Sequence, residues 1–102
     1  GSEGFAEAES ESIRPERTGL RAVYPNPTQG AVSVDYHLKE SQRVEVQVYD
    51  LLGRRVATLV DAEQPAGRYA VTLDGTGLSS GPYFVRLQSG ARMQTQRIAV
   101  VR

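Results

Sequence analysis

Apolar and polar residues alternate in short runs along most of this chain. Val32, Val34, Tyr36 and Leu38 interleave with Ser33, Asp35, His37 and Lys39. Strict period-two alternation predicts a strand with one buried and one wet face. The same pattern recurs in Val44, Val46 and Val48 against Glu45, Gln47 and Tyr49. It recurs again in Tyr69, Val71 and Leu73, and in Tyr83, Val85 and Leu87 against Phe84 and Arg86. Ala22-Val23-Tyr24 predicts a short first strand, stopped by Pro25-Asn26-Pro27, because proline lacks a donor and restricts its predecessor. Arg54 to Val60 predicts a fourth strand, with Val56, Thr58 and Val60 on its buried side and Leu59 opposite. The last strand, Arg92 to Val101, changes parity between Met93 and Thr95 on one hand and Ile98 and Val100 on the other. A β-bulge near Gln96 would reconcile the two halves, since one extra residue flips the register.

Turn signals separate these runs. Thr28-Gln29-Gly30, Lys39 to Gln42, Asp50 to Gly53, Asp61 to Gly67, Asp74 to Gly81 and Ser89-Gly90 are the expected connections. Pro25, Asn26, Pro27 and Gly30, then Gly53, Gly67, Gly75 and Gly81, mark the corners, and Leu78 is expected to plug one end of the core. Seven short strands with connections too short for helical crossovers predict an all-β, immunoglobulin-like antiparallel sandwich. Residues 1–22 read differently. Phe5, Ile13 and Leu20 are their only large apolar residues, and a run rich in Glu, Ser and Ala cannot offset its ordering entropy. The expected organisation is an acidic flexible linker over 1–22, beginning with a Gly1-Ser2 cloning remnant, and a β-sandwich over 23–102. The chain is expected to be a fragment of a longer protein.

Composition narrows the function classes. Twelve basic and 12 acidic residues cancel, which argues against bulk attraction to nucleic acid or an anionic membrane. No stretch approaches the roughly 20 apolar residues of a spanning helix. The chain has no cysteine, so disulfides and thiolate metal sites are excluded. The charges are nonetheless segregated. Glu3, Glu7, Glu9 and Glu11 open the chain, whereas only Arg86, Arg92, Arg97 and Arg102 are charged after Asp74.

Catalytic chemistry is poorly supplied. The single histidine, His37, alternates with buried positions and so points outward, where a surface role fits better than general base catalysis. No glycine-rich phosphate loop precedes a helix. Asp50, Asp61, Glu63 and Asp74 sit in or beside expected loops, where oxygen ligands can hold calcium. They lack the close spacing that gathers ligands locally, and turn capping by Asp accounts for them. No metal, no cofactor and no enzymatic activity are expected. Tyr49 and Phe84 alone among the ordered aromatics lie opposite the apolar face of their strands, as a small sugar platform or partner patch would.

Several motifs occur in a fixed order. Tyr24-Pro25-Asn26-Pro27-x-x-Gly30 is followed by Val48-Tyr49-Asp50-Leu51-Leu52-Gly53-Arg54-x-Val56. Then come Ala66-Gly67-x-Tyr69, Leu78-x-x-Gly81-x-Tyr83-Phe84-x-Arg86-Leu87, and Arg97-Ile98 through Arg102. Together they resemble the type A C-terminal sorting domain of type IX (Por) secretion substrates, over about eighty residues. Thr28 replaces a common Phe, Leu73-Asp74-Gly75 a common Trp-Asp-Gly, and Arg97 and Arg102 common lysines. The resemblance implies a non-catalytic secretion signal, linked to an upstream cargo domain. It implies recognition by an outer-membrane translocon and removal by a sortase-like cysteine protease, the cargo passing through the periplasm to the outer-membrane surface or beyond.

By the same resemblance, Leu78, Gly81, Tyr83, Arg97, Ile98, Val100 and Arg102 are the expected recognition residues, and Pro25, Asn26, Pro27, Gly30, Asp50, Gly53 and Gly67 the structural motif. The basic last strand is a candidate docking edge, for the translocon or for a second copy in a homodimer. Cleavage is expected before Val23, where backbone is accessible. An immunoglobulin-like spacer of the flagellar hook-capping type shares part of this texture. The sequence stopping at Arg102 favours a terminal address over that reading, and a carbohydrate-binding module comes third.

Overall fold

A computed structural model of the chain describes residues 17–101. The seven strands are β1 (Gly19–Tyr24), β2 (Ala31–Leu38), β3 (Gln42–Asp50), β4 (Arg55–Gln64), β5 (Gly67–Asp74), β6 (Gly81–Ser89) and β7 (Arg92–Val100). They form a three-stranded sheet, β1-β2-β5, and a four-stranded sheet, β4-β3-β6-β7, with every strand pair antiparallel. The immunoglobulin-like label holds approximately. The constant-type arrangement divides its strands four and three, with its fourth strand in the sheet of the first two. Here β4 pairs with β3 instead.

The period-two pattern determines what lies between the sheets. Val32, Val34, Tyr36 and Leu38 of β2 face Val44, Val46 and Val48 of β3 and Val85 and Leu87 of β6, all fully buried. Leu73, Val60, Tyr83, Ile98 and Val100 complete this core, and Leu78 packs on it from the β5–β6 connection. Removing this much apolar surface from water is the main stabilising term. Tyr36 and Tyr69 stack with centroids 5.3 Å apart. The Tyr36 hydroxyl donates to Gln64 Oε1 at 2.6 Å, joining β2 to β4 of the opposite sheet. Burial raises the Tyr36 pKa.

Four expectations need correction. The first strand begins at Gly19, not Ala22, so the boundary set at 22/23 falls inside it. A register shift between Leu20 and Ala22 accommodates the irregular start. The part of the expected linker over 1–16 lies outside the described residues. Second, β4 runs on to Gln64, which places Asp61 and Glu63 in a strand and shortens the expected loop. Third, β4 does not bury Val56 and Thr58. Register shifts at Val46/Gln47 and Val48/Tyr49 leave Leu59 and Val56 as extra residues. Ala57 and Leu59 consequently pack on the core, while Val56 is exposed.

Fourth, β7 has no bulge: its pairing with β6 is continuous from Gly81↔Val100 to Ser89↔Arg92. Its inner parity is that of Ile98 and Val100 throughout. The residues on that parity in its first half are Gln94 and Gln96, polar because the strand there passes beyond the core. The Gln94 Oε1 accepts the Leu20 N–H at 2.6 Å and ties β7 to β1 across the open side. Gly90 and Ala91 form the two-residue turn between β6 and β7, with Gly90 at φ 59°.

Candidate recognition surface

The expected recognition residues divide by burial. Tyr83, Ile98 and Val100 are core residues, respectively 6%, 0% and 3% exposed. Leu78 is half-buried against that core. The Tyr83 hydroxyl donates to the Ser79 carbonyl, four residues back, at 2.8 Å. This is a tyrosine corner, which pins a sandwich's connecting loop to the start of the next strand. Gly81 opens that strand at φ 147°, a conformation that side chains disfavour. The Leu78-x-x-Gly81-x-Tyr83 motif thus builds the β5–β6 corner. Tyr83, Ile98 and Val100 are closed to direct contact by their burial.

Arg97 is exposed, and Arg102 lies outside the described residues. The backbone edge beside Arg97 is occupied by the Pro-Asn-Pro segment. Asn26 Nδ2 donates to the Arg97 carbonyl at 3.1 Å, and Asn26 Oδ1 accepts the Ala99 N–H at 3.0 Å. The Thr28 N–H donates to the Ala99 carbonyl, and the Val101 N–H to the Thr28 carbonyl, at 2.9 and 2.8 Å. Thr28 is buried, and it forms a parallel bridge with Val100. Both flanking prolines, Pro25 and Pro27, follow cis peptide bonds. The last strand is therefore capped over Arg97–Val101. The expected docking by strand addition there, to a receptor or to a second copy, meets backbone groups that are already bonded.

What this region offers is side chains on the outer face of the four-stranded sheet. Register aligns Tyr49 with Phe84, and Phe84 with Arg97, in one row. The next row holds Gln47, Arg86 and Thr95. Arg86 lies over the Tyr49 ring, 4.5 Å from its centroid, and its Nη2 donates to the Tyr49 hydroxyl at 2.6 Å. That hydroxyl donates to Gln47 Oε1 at 2.6 Å. Gln47 is only 7% exposed despite its outward parity, because these neighbours cover it. The β3–β4 turn adds Leu51 and Leu52, which are 67% and 75% exposed. A shallow depression of about 340 Å³ runs between the turn and the rows, lined by Tyr49, Asp50, Leu51, Phe84, Arg86 and Thr95 among others. Tyr49 and Arg86 are of the residue types enriched in protein-binding hot spots.

Asp50 shapes this turn. Its carboxylate accepts the N–H groups of Leu52 and Arg54 at 2.9 Å each and pairs with the Arg54 guanidinium at 2.8 Å. Hydrogen bonding from the Arg54 backbone, then from its side chain and the Leu52 backbone, holds the Asp50 pKa below the usual value against a smaller opposing effect of burial. Gly53 takes φ 80° to close the turn. Of the other motif residues, Gly30 ends the β1–β2 connection and its carbonyl accepts the Gly75 N–H at 3.2 Å. Gly67 begins β5, two residues before Tyr69, whose hydroxyl donates to the Pro65 carbonyl at 2.6 Å. This is a second tyrosine corner.

Sequence reasoning placed Tyr49 and Phe84 outward but missed that Tyr24 also faces solvent, at 51% exposure. It missed Asn26 and Thr28 as strand caps, since their partners lie more than seventy residues away. It also missed Gln47 and Arg86, although their outward parity beside Tyr49 and Phe84 was a usable signal. His37 lies on the outer face of the three-stranded sheet, paired with Gly19 on one side and Arg68 on the other. Burial, then the charges of Arg21 and Arg68, lower its pKa against an opposing Asp35. Among the described residues no three His, Cys, Asp or Glu side chains gather as a metal site.

A search of curated proteins found no match. The family model for the secretion system C-terminal sorting domain matches residues 22–101, which takes in the sandwich almost from end to end. With that match over most of its length, the chain belongs to the family of type IX secretion C-terminal sorting domains.

Proposed function

We propose that this domain carries a covalently linked cargo across the outer membrane through the type IX translocon, and that the translocon reads the folded sandwich on the outer face of its four-stranded sheet. Family membership makes the chain a C-terminal type IX sorting signal, with upstream cargo exported to the cell surface or the extracellular space. Domains of this family are generally non-catalytic, and we infer the same of this one. The observation that carries the proposal is the match over residues 22–101, which spans the seven-stranded sandwich rather than a short linear tag. Arg97, in line with Phe84 and Tyr49, is the recognition residue most open to contact. Arg102 is the second charged candidate for recognition. Leu78, Gly81, Tyr83, Ile98 and Val100 act by holding this face in shape. A sortase-like protease would cut before β1, since the backbone from Gly19 onward is paired.

A secreted fluorescent reporter fused to the N-terminus of this chain tests the proposal in a bacterium with a type IX system. The reporter should reach the surface or medium, and stay in the periplasm of a strain without the translocon. Arg97→Glu should lower export severalfold while the thermal midpoint of the purified domain stays within about 2 °C, as for a surface change of under 0.5 kcal/mol. Normal export of the Arg97→Glu fusion would remove Arg97 from the recognition surface. Equal export with and without the translocon would overturn the route.

A further inference from the structure

At the end of the sandwich away from the capped edge of β7, a second polar cleft opens between β1 and β7. Its volume is about 470 Å³, and it is lined by Arg17, Thr18, Gly19, Leu20, Arg21, His37, Arg92 and Gln94. No carboxylate lines it. Arg17, Arg21 and Arg92 come from two strands of different sheets and the segment before β1, and none of them forms an ion pair among the described residues. This contrasts with Arg43 and Arg54, each of which holds an aspartate. The overall neutrality of the chain thus conceals a local concentration of positive charge, with Glu40 and Asp35 only in the adjoining hollows.

The floor of the cleft is constructed rather than incidental. The Gln94 Oε1 accepts the Leu20 N–H, so its Nε2 amide remains as a donor. A Cβ on Gly19 would come within 2.4 Å of that same Oε1, so a larger residue there would make the Gln94 side chain shift. The lining therefore presents guanidinium forks and an amide donor, a set matched to an oxyanion acceptor. The cleft greatly exceeds the roughly 30 Å³ share of one water. It has room for more than one anionic group.

From this arginine-lined cleft we propose that the end of the sandwich formed by Arg17, Arg21, Arg92 and Gln94 is a binding site for a ligand carrying clustered phosphate groups. His37 forms its back wall. The groups facing His37 are Arg21 on β1, Arg68 on β5 and Asp35 on its own strand, with Arg17 and Arg92 across the cleft. Burial first, then the Arg21 and Arg68 charges, lowers the His37 pKa against Asp35, and a bound anion would offset the two positive charges. Phosphate binding should therefore raise the pH at which His37 titrates.

The test is an NMR titration of the 102-residue chain with inorganic pyrophosphate at low salt. Saturable shifts are expected at the amides of Thr18 to Arg21 and Arg92 to Gln94, and not at Asp50 to Arg54. The imidazole titration of His37 should move upward in the same samples. The double variant R21Q/R92Q should lose at least about tenfold in affinity, as expected when two charge-assisted bonds are removed, with its thermal midpoint retained. Shifts spread over all exposed arginines without saturation would overturn the proposal, as would an unchanged affinity in R21Q/R92Q. Sedimentation with phosphatidylglycerol vesicles, against phosphatidylcholine, assigns the source. Co-sedimentation lost in R21Q/R92Q identifies a lipid headgroup, and none alongside saturable pyrophosphate binding identifies a soluble phosphate.

Discussion

Tyr83 and Tyr69 each fix a corner by donating a hydroxyl to a carbonyl four residues back, one at the entrance to β6 and the other near the start of β5. The Tyr83 corner is the more deeply buried, so its hydrogen bond is the harder to replace with water. Tyr83→Phe should cost about 1 kcal/mol, read as a lower urea midpoint with an unchanged slope. Tyr69→Phe, at a solvent-exposed bond, should cost less in the same assay. Asp50 gives a prediction in pH. Its folded pKa is lowered by hydrogen bonds from Arg54 and Leu52. The turn's added stability is then fully present above the unfolded Asp pKa and vanishes as pH falls through the folded value. Following the Leu52 and Arg54 amides by NMR during acidification should give a midpoint below that of an unstructured Asp, and Asp50→Asn should abolish the transition.

Among the elements, β4 and β7 show where alternation stops being a sufficient guide. In β4 two extra residues shift the register, so Val56 turns outward and Ala57 and Leu59 turn in. Nothing in Arg54 to Val60 read alone marks those bulges, because they are imposed by pairing with β3. In β7 the error ran the other way. Polar Gln94 and Gln96 on the inner parity resembled a register slip, yet the strand is regular and Gln94 bonds to β1. The cap on β7 is an element-scale device with a measurable consequence. Asn26→Ala should speed hydrogen exchange at the Ala99 amide, which donates to Asn26, and leave the β6 amides protected. Equal protection of Ala99 in the variant would show that Thr28 alone holds the edge.

At the scale of the whole molecule, one layer of side chains from both sheets makes the core, so the sheets should not unfold separately. Leu87, fully buried in that layer, separates folding from recognition. Leu87→Ala should destabilise by about 2–5 kcal/mol and reduce reporter export along with stability, whereas Arg97→Glu should reduce export alone. If the Leu87→Ala fusion were exported normally while the purified domain was unfolded, the translocon would be reading a linear segment and not the sandwich. The sequence by itself determined the all-β class, four of the seven strands (β2, β3, β5 and β6) with their buried faces, the glycine corners and the family, because a period of two and the turn residues are local properties of the chain. The tertiary structure alone decided which strands share a sheet, which backbone edge is closed and where Arg17, Arg21 and Arg92 converge. Those depend on contacts between residues far apart in sequence: Asn26 with Ala99, Leu20 with Gln94, Arg21 beside Arg92. No local pattern encodes such pairings, since each partner's side chain is unremarkable until the fold sets the other against it.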